Sequence, residues 1–241
     1  MKTVNAAPMV SPDETGWRVG GEGAWLWTAS TTAATAYWVR RGRGYGDACE
    51  VIDPEYAGVI VRDGWAPYRR FVNATHQSCL AYLLRRCDEL LTDLPASARS
   101  TPRRVRDLLT EALDARDLDA DARRATVAEH AEHVELLHAD AHPNDECRKL
   151  VAHLYAEREA LFTFLTHDGI DATSWRAEQA IRPAVVNRKV WGGNRTWRGS
   201  ATQGRVMSLL RTASQQGIDA VDYLTRLARA PTAADVPPLF T

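Results

Sequence analysis

Hydrophobic and polar positions change rhythm twice along the chain. Residues 13 to 65 read as strands. "TGWRVGG" and "GAWLWTAS" are rich in Trp and Val, and Gly20-Gly21-Glu22-Gly23 between them predicts a hairpin. "TAYWVRR" reads as a third strand and "GDACEVI" as a short helix. In "YAGVIVRDGWAPY", Val59, Ile60 and Val61 form a continuous apolar run, the mark of a strand buried on both faces. That strand, placed at 57–63, ends on Asp63. A carboxylate at the carboxyl end of a central α/β strand stands where open sheets place ligands.

From about residue 76 to 167 apolar residues recur at helical spacing. "HQSCLAYLLRRCDELL" opens this block. Thr101-Pro102 reads as an N-cap with proline at the first helical position, starting "RRVRDLLTEALDARDL". "DARRATVAEHAEHVELLHADA" follows, then "NDECRKLVAHLYAEREALFTFL" with Asn144 as cap and Asp145 and Glu146 in the first turn. From residue 173 the rhythm changes again. "TSWRAEQAIRP" predicts a short helix capped by Thr173 or Ser174 and stopped at Pro183. "VVNRKVWGGNRTWRGS" reads as a Gly-rich basic loop. "ATQGRVMSLLRTASQQG" reads as an amphipathic helix ended by Gly217, and Asp219 caps a last helix. The order predicts an α/β fold: a mixed-sheet core at 1–75 and 168–230, a helical insertion at 76–167 and a frayed tail at 231–241.

Composition narrows the function classes. The 241 residues are 45% hydrophobic and 25% charged, ordinary for a soluble globular protein. A net charge of −1 does not mark a nucleic-acid binder in bulk. Cys49, Cys79, Cys87 and Cys147 form no CxxC pair, so neither a disulfide framework nor a four-cysteine zinc site is expected. No apolar run approaches the roughly 18 residues of a membrane span. The expected setting is cytoplasmic, without a membrane partner.

Three acids are candidates for chemistry: Asp13 at the start of the first strand, Asp63, and Glu178 after the insertion. Converging carboxylates repel unless cations lie between them. Mg²⁺ suits such hard oxygen ligands. The plainer alternative is a strand-edge Asp, a turn Asp and a first-turn Glu. Context favours the first reading. Between Glu178 and Asp219 there is no acid, but there are Arg182, Arg188, Lys189, Arg195, Arg198, Arg205 and Arg211, interleaved with Trp191 and Trp197. Basic residues beside acids suit a phosphate backbone, and tryptophans can stack on unpaired bases.

The blocks "DETGWRVGGEGAWLW", "YAGVIVRDGWAPY", "HQSCLAYLLRR" and "AEQAIRPAVVNRKVWGGNRTWRGSATQGRVMSLLRTASQQGIDAVDYL" resemble, in this order, the catalytic domain of bacterial insertion-sequence transposases of the Asp-Asp-Glu type, most closely the insertion sequence 66 family. The resemblance covers about residues 9 to 230. It implies a ribonuclease-H-like fold and metal-dependent cleavage and joining of DNA at element ends and target. Two Mg²⁺, replaceable by Mn²⁺, would be held by Asp13, Asp63 and Glu178. Arg182, Arg188, Lys189, Arg195, Arg198, Trp191 and Trp197 would meet DNA, and self-association is a further expectation. Ser174-Trp175, Gln179 and Pro12 depart from the family pattern, and proline predicts that Asp13 sits at a strand's first turn or edge. The family's N-terminal DNA-binding and zinc-binding parts are not recognisable, so a truncated copy is expected. Two rival readings are a non-catalytic DNA-binding remnant and a helical protein-interaction module at 76–167.

Histidines offer a separate metal reading. His130 and His133, and His138 and His142, are spaced as zinc ligands on a helix face, against the alternative of a solvated face with Glu129, Glu132 and Glu135. His76 near Cys79 is a candidate for a structural or supporting role.

Overall fold

The computed structural model describes residues 2–142 and 144–232. Its strands are β1 (Met9–Val19), β2 (Glu22–Ser30), β3 (Thr35–Arg40), β4 (Val59–Arg62) and β5 (Thr75–Ser78). The longer helices are α1 (Leu80–Asp93), α2 (Ser100–Asp114), α3 (Ala120–Ala139) and α4 (Asp145–Ala156), then α5 (Trp175–Trp191), α6 (Trp197–Gln215) and α7 (Ala220–Arg229). Antiparallel and parallel pairings both occur, so the fold is mixed α/β. The chain divides into two compact units, Met1–Gly58 with Arg70–Asn73 and Trp175–Thr241, and Val59–Arg69 with Ala74–Ser174. The second unit therefore carries two strands as well as the helices expected at 76–167.

The first unit is built on the antiparallel meander β1-β2-β3. Its hairpin turns at Gly20 and Gly21, with φ of 62° and 87°. Two successive left-handed residues make a turn whose twist matches the strands, which is why glycines stand there. Asp13 is not at the first turn of its strand. β1 begins four residues earlier, and Asp13 pairs with Thr28 in mid-strand. The buried residues Met9 and Val10 extend the strand past Pro12, and the local proline signal yields to that burial.

Helix α5 corrects a second expectation. It runs through Pro183 to Trp191 rather than stopping. An interior proline removes one helical hydrogen bond and costs about 3 kcal/mol. Ala180, Ile181 and Ala184 offset that cost by packing into a core with Trp17, Val19, Leu26, Tyr37 and Val39. The Tyr37 hydroxyl donates to the Ala180 carbonyl at 2.6 Å, beside the disrupted turn. Burial pushes the Tyr37 pKa up to about 12, so the phenol stays a donor.

The expected basic loop at 185–200 is therefore mostly helical. It ends α5, crosses a connection at 192–196 and begins α6 at Trp197, capped by Thr196, whose side chain accepts the Gly199 N–H. The connection is pinned by Asn194. Its N–H donates to the Arg18 carbonyl and its carbonyl accepts from Gly20 N–H, both at 2.8 Å. Its side-chain oxygen accepts from the Trp17 indole at 2.7 Å. α6 covers the β3 edge: Ser208 Oγ accepts the Tyr37 N–H and Thr212 Oγ1 accepts the Thr35 N–H. Helix α7 opens on Asp219, whose side chain accepts the Asp222 N–H. Of the tail expected at 231–241, residues 233–241 lie outside the described residues.

In the second unit, β4 is buried along its length and pairs in parallel with β5, Val59 opposite Thr75 and Arg62 opposite Ser78. Residues 75–78 are thus strand, and the helix expected from His76 opens at Leu80. Buried Gln77 explains the departure. Its side chain donates to the Ser78 and Leu161 carbonyls and accepts from Phe164 N–H, fixing an extended backbone. Helix α2 begins at Ser100, so Thr101 is not its cap; Thr101 Oγ1 instead meets His142 Nδ1 at 3.1 Å. The caps at Asp119 and Asn144 close α3 and α4 as their side chains accept first-turn N–H groups.

Candidate functional site

Asp63 follows β4 directly, at the carboxyl end of a parallel pair. Its Oδ1 accepts the Trp65 N–H at 2.9 Å, a tight Asx turn that fixes the carboxylate relative to the strand. Gly64 leaves room there for the His153 ring: an added Cβ would come within 2.8 Å of His153 Cε1 and the ring would have to shift. Burial lowers the His153 pKa, so the ring beside this turn is neutral at pH 7.

Behind the turn lies a network of ionisable residues that the sequence reading missed. Arg62 is 3% exposed, and its Nη1 lies 2.9 Å from Glu157 Oε2. Arg69 also pairs with Glu157. Arg62 Nε donates to His76 Nδ1 at 3.2 Å, which gives His76 a structural partner. Arg62 was legible only as the polar end of an apolar strand, and Glu157 carries no sequence signal in a helical block rich in exposed acids.

Asp13 and Glu178 belong to the first unit. Asp13 is half-buried, and its Oδ1 accepts the Glu14 N–H at 2.8 Å. Glu14 itself is committed elsewhere: its buried carboxylate accepts from Arg43 Nε at 2.6 Å. Glu178 stands in the first turn of α5, which packs on β1 and β2. Its carboxylate is exposed and meets Arg182 Nη2 at 2.8 Å. Such an exposed i,i+4 pair contributes about 0.3–0.5 kcal/mol and is readily exchanged for another cation. Among the described residues, no three His, Cys, Asp or Glu side chains form a metal-holding group.

The basic residues separate into two kinds. Arg188 shares the sheet-facing stripe of α5 with Ala177, Ala180, Ile181 and Ala184. Its Nη1 donates to Thr15 Oγ1 at 3.0 Å and to the Gly16 carbonyl at 2.6 Å. The spacing from Ala184 to Arg188 was the available signal for this inward placement. Lys189, Arg195 and Arg198 are exposed, as is Trp191. Trp197 is half-buried against the first unit's core, with the Arg41 guanidinium 4.7 Å from its ring centre.

The histidine pairs separate as well. His130 is buried, with His133 stacked near it and the Phe162 ring meeting it edge to face, and burial lowers its pKa. His138 stacks on Tyr155 at 3.8 Å. His142 lies beyond the end of α3, so it does not share a helix face with His138.

Comparison with known proteins bears on these residues together. The family model described as "Transposase IS66 family" matches residues 1–202. The chain belongs to the IS66 transposase family. That match contains Asp13, Asp63, Glu178 and every basic residue from Arg182 to Arg198. A relative in Sinorhizobium fredii (strain NBRC 101917 / NGR234), the uncharacterized protein y4qI, is 26% identical over 251 residues. The alignment covers 88% of this chain and 45% of that relative, so the chain spans about half its length. No helix among the described residues of this IS66-family chain is long and apolar enough to cross a membrane.

Proposed function

We propose that this chain carries the catalytic core of an IS66-family transposase, a ribonuclease-H-like domain that cleaves DNA strands and joins them to a target. The observation that carries the reading is the family match across residues 1–202, which takes in all three acids in order. Asp13, Asp63 and Glu178 are the residues proposed to hold Mg²⁺. The donor chemistry fits: all three offer carboxylate oxygens, the ligands a hard divalent cation prefers. When bound, Mg²⁺ eases deprotonation of an attacking water or hydroxyl and offsets charge on the leaving oxygen.

The chain's own residues supply position and charge. Asp63 is held by its turn at a strand end, and Glu178 can exchange its exposed partner Arg182 for a cation. Lys189, Arg195 and Arg198 are exposed, where they can neutralise backbone phosphates, and Trp191 offers an exposed ring for an unpaired base. Arg188 serves the scaffold, by binding β1.

The test is nicking of a supercoiled plasmid carrying the element ends, with and without Mg²⁺. Mg²⁺-dependent nicking lost in Asp63→Asn, with the fold retained, supports the reading. Nicking that survives the substitution removes Asp63 from the chemistry. A second reading, DNA binding without cleavage, draws on the lack of a three-carboxylate group among the described residues. It predicts salt-dependent binding and no nicking by the wild-type chain.

A further inference from the structure

The turn that carries Asp63 is anchored from inside the second unit. Arg62 Nη1 donates to the Asp63 carbonyl oxygen at 3.1 Å, so one guanidinium nitrogen touches both that carbonyl and the Glu157 carboxylate. The Arg62 and Glu157 side chains are 4% and 0% exposed. The Arg62 carbonyl accepts the Cys79 N–H at 2.8 Å, and His76, the partner of Arg62 Nε, has its own carbonyl bonded by Thr163 Oγ1 at 2.7 Å. Glu157 follows the end of α4, where its N–H donates to the His153 and Leu154 carbonyls. His153, in the same helix, sets the space available to Gly64.

Burying an ion pair this completely gains little stability. Desolvation offsets the attraction, and an apolar pair of similar size often serves as well. What an apolar pair cannot do is grip a backbone carbonyl. The carbonyl gripped here belongs to the acid itself. We propose that Glu157 is a positioning residue. It orients the Arg62 guanidinium, which fixes the Asp63 carbonyl and so the direction in which the turn presents the carboxylate. The inference rests on the reading of Asp63 as a metal ligand, but its structural half can be tested without that reading.

The experiment uses the full chain, Glu157→Gln, and the double variant Arg62→Met/Glu157→Leu. The double variant removes both buried charges and leaves Arg69, which is 41% exposed at its side chain, to water. Amide hydrogen exchange across 62–66 and Mn²⁺ affinity by electron paramagnetic resonance are measured beside thermal melting. Loss of a hydrogen bond from a charged donor predicts exchange at Gly64 and Trp65 faster by about tenfold or more. Mn²⁺ affinity should fall by about as much, while the double variant melts near the wild type, since apolar replacement of a buried pair is close to neutral. If Glu157→Gln does not fold, the double variant still decides. Unchanged exchange at Gly64 and Trp65 in a folded variant overturns the positioning role. Faster exchange with unchanged Mn²⁺ affinity overturns its link to metal binding. If wild type and Asp63→Asn bind Mn²⁺ equally, the metal reading of Asp63 is what fails, and the exchange result stands separately.

Discussion

Replacing Arg188 with Ala should unmake part of the scaffold and leave DNA affinity nearly intact. One guanidinium nitrogen holds both Thr15 Oγ1 and the Gly16 carbonyl, at 3.0 and 2.6 Å, and the side chain is half-buried between α5 and β1. Hydrogen bonds from a charged donor contribute about 1.5–3 kcal/mol, so Arg188→Ala should cost about 2 kcal/mol. For a chain of this size that lowers the melting temperature by about 4–8 °C. Arg188→Lys sharpens the test. It keeps the charge but loses the planar fork, so it too should be destabilised, although any phosphate neutralisation would survive. Thermal melting by circular dichroism reads the first quantity, and duplex DNA titrations at several salt concentrations read the second. An unchanged melting temperature with a salt slope smaller by about 0.9 would refute the scaffold assignment and return Arg188 to the DNA surface.

Further outcomes follow from the same geometry. Arg195→Ala/Arg198→Ala removes two exposed cations, so the slope of log affinity against log salt should shrink by up to about 1.8 with little change in melting. Gly193 has φ of +128° and its added Cβ would lie 2.3 Å from the Arg18 carbonyl oxygen. Gly193→Ala should therefore destabilise the 192–196 connection by about 1–3 kcal/mol, seen as a lower urea midpoint. Burial lowers the His130 pKa below its ordinary 6.5, so the unfolded chain binds this proton first. The His130 contribution to stability is then full above pH 6.5 and is lost as pH falls from there towards the folded-state pKa. Urea midpoints from pH 7.5 to 5 should show this fall, and His130→Leu should lessen it, leaving the part due to His153, whose pKa burial lowers in the same way.

Much of the fold was legible because local signals agreed with burial. Gly20-Gly21 set the hairpin, Asn144 and Asp219 capped their helices, and the apolar run 59–61 gave a buried strand. The departures share one physical cause, tertiary contact overriding a local rule. Pro183 did not stop α5, because the helix packs its alanine stripe on the meander. Residues 75–78 are extended because a buried Gln77 spends its amide on neighbouring backbone. The basic stretch contained the candidate surface, but its loop assignment hid that Arg188 points inward while Arg195 and Arg198 stay exposed. The three acids could be chosen from motif blocks. The Arg62–Glu157 pair joins residues nearly a hundred positions apart, and no spacing rule reaches that far.

The most direct test of the proposed acid triad is crystallographic: anomalous scattering from Mn²⁺ in crystals of the chain with DNA. The account predicts two ions about 3.5–4 Å apart, ligated by carboxylate oxygens of Asp13, Asp63 and Glu178. Ions held by other residues, or no ion near these three acids, would contradict it.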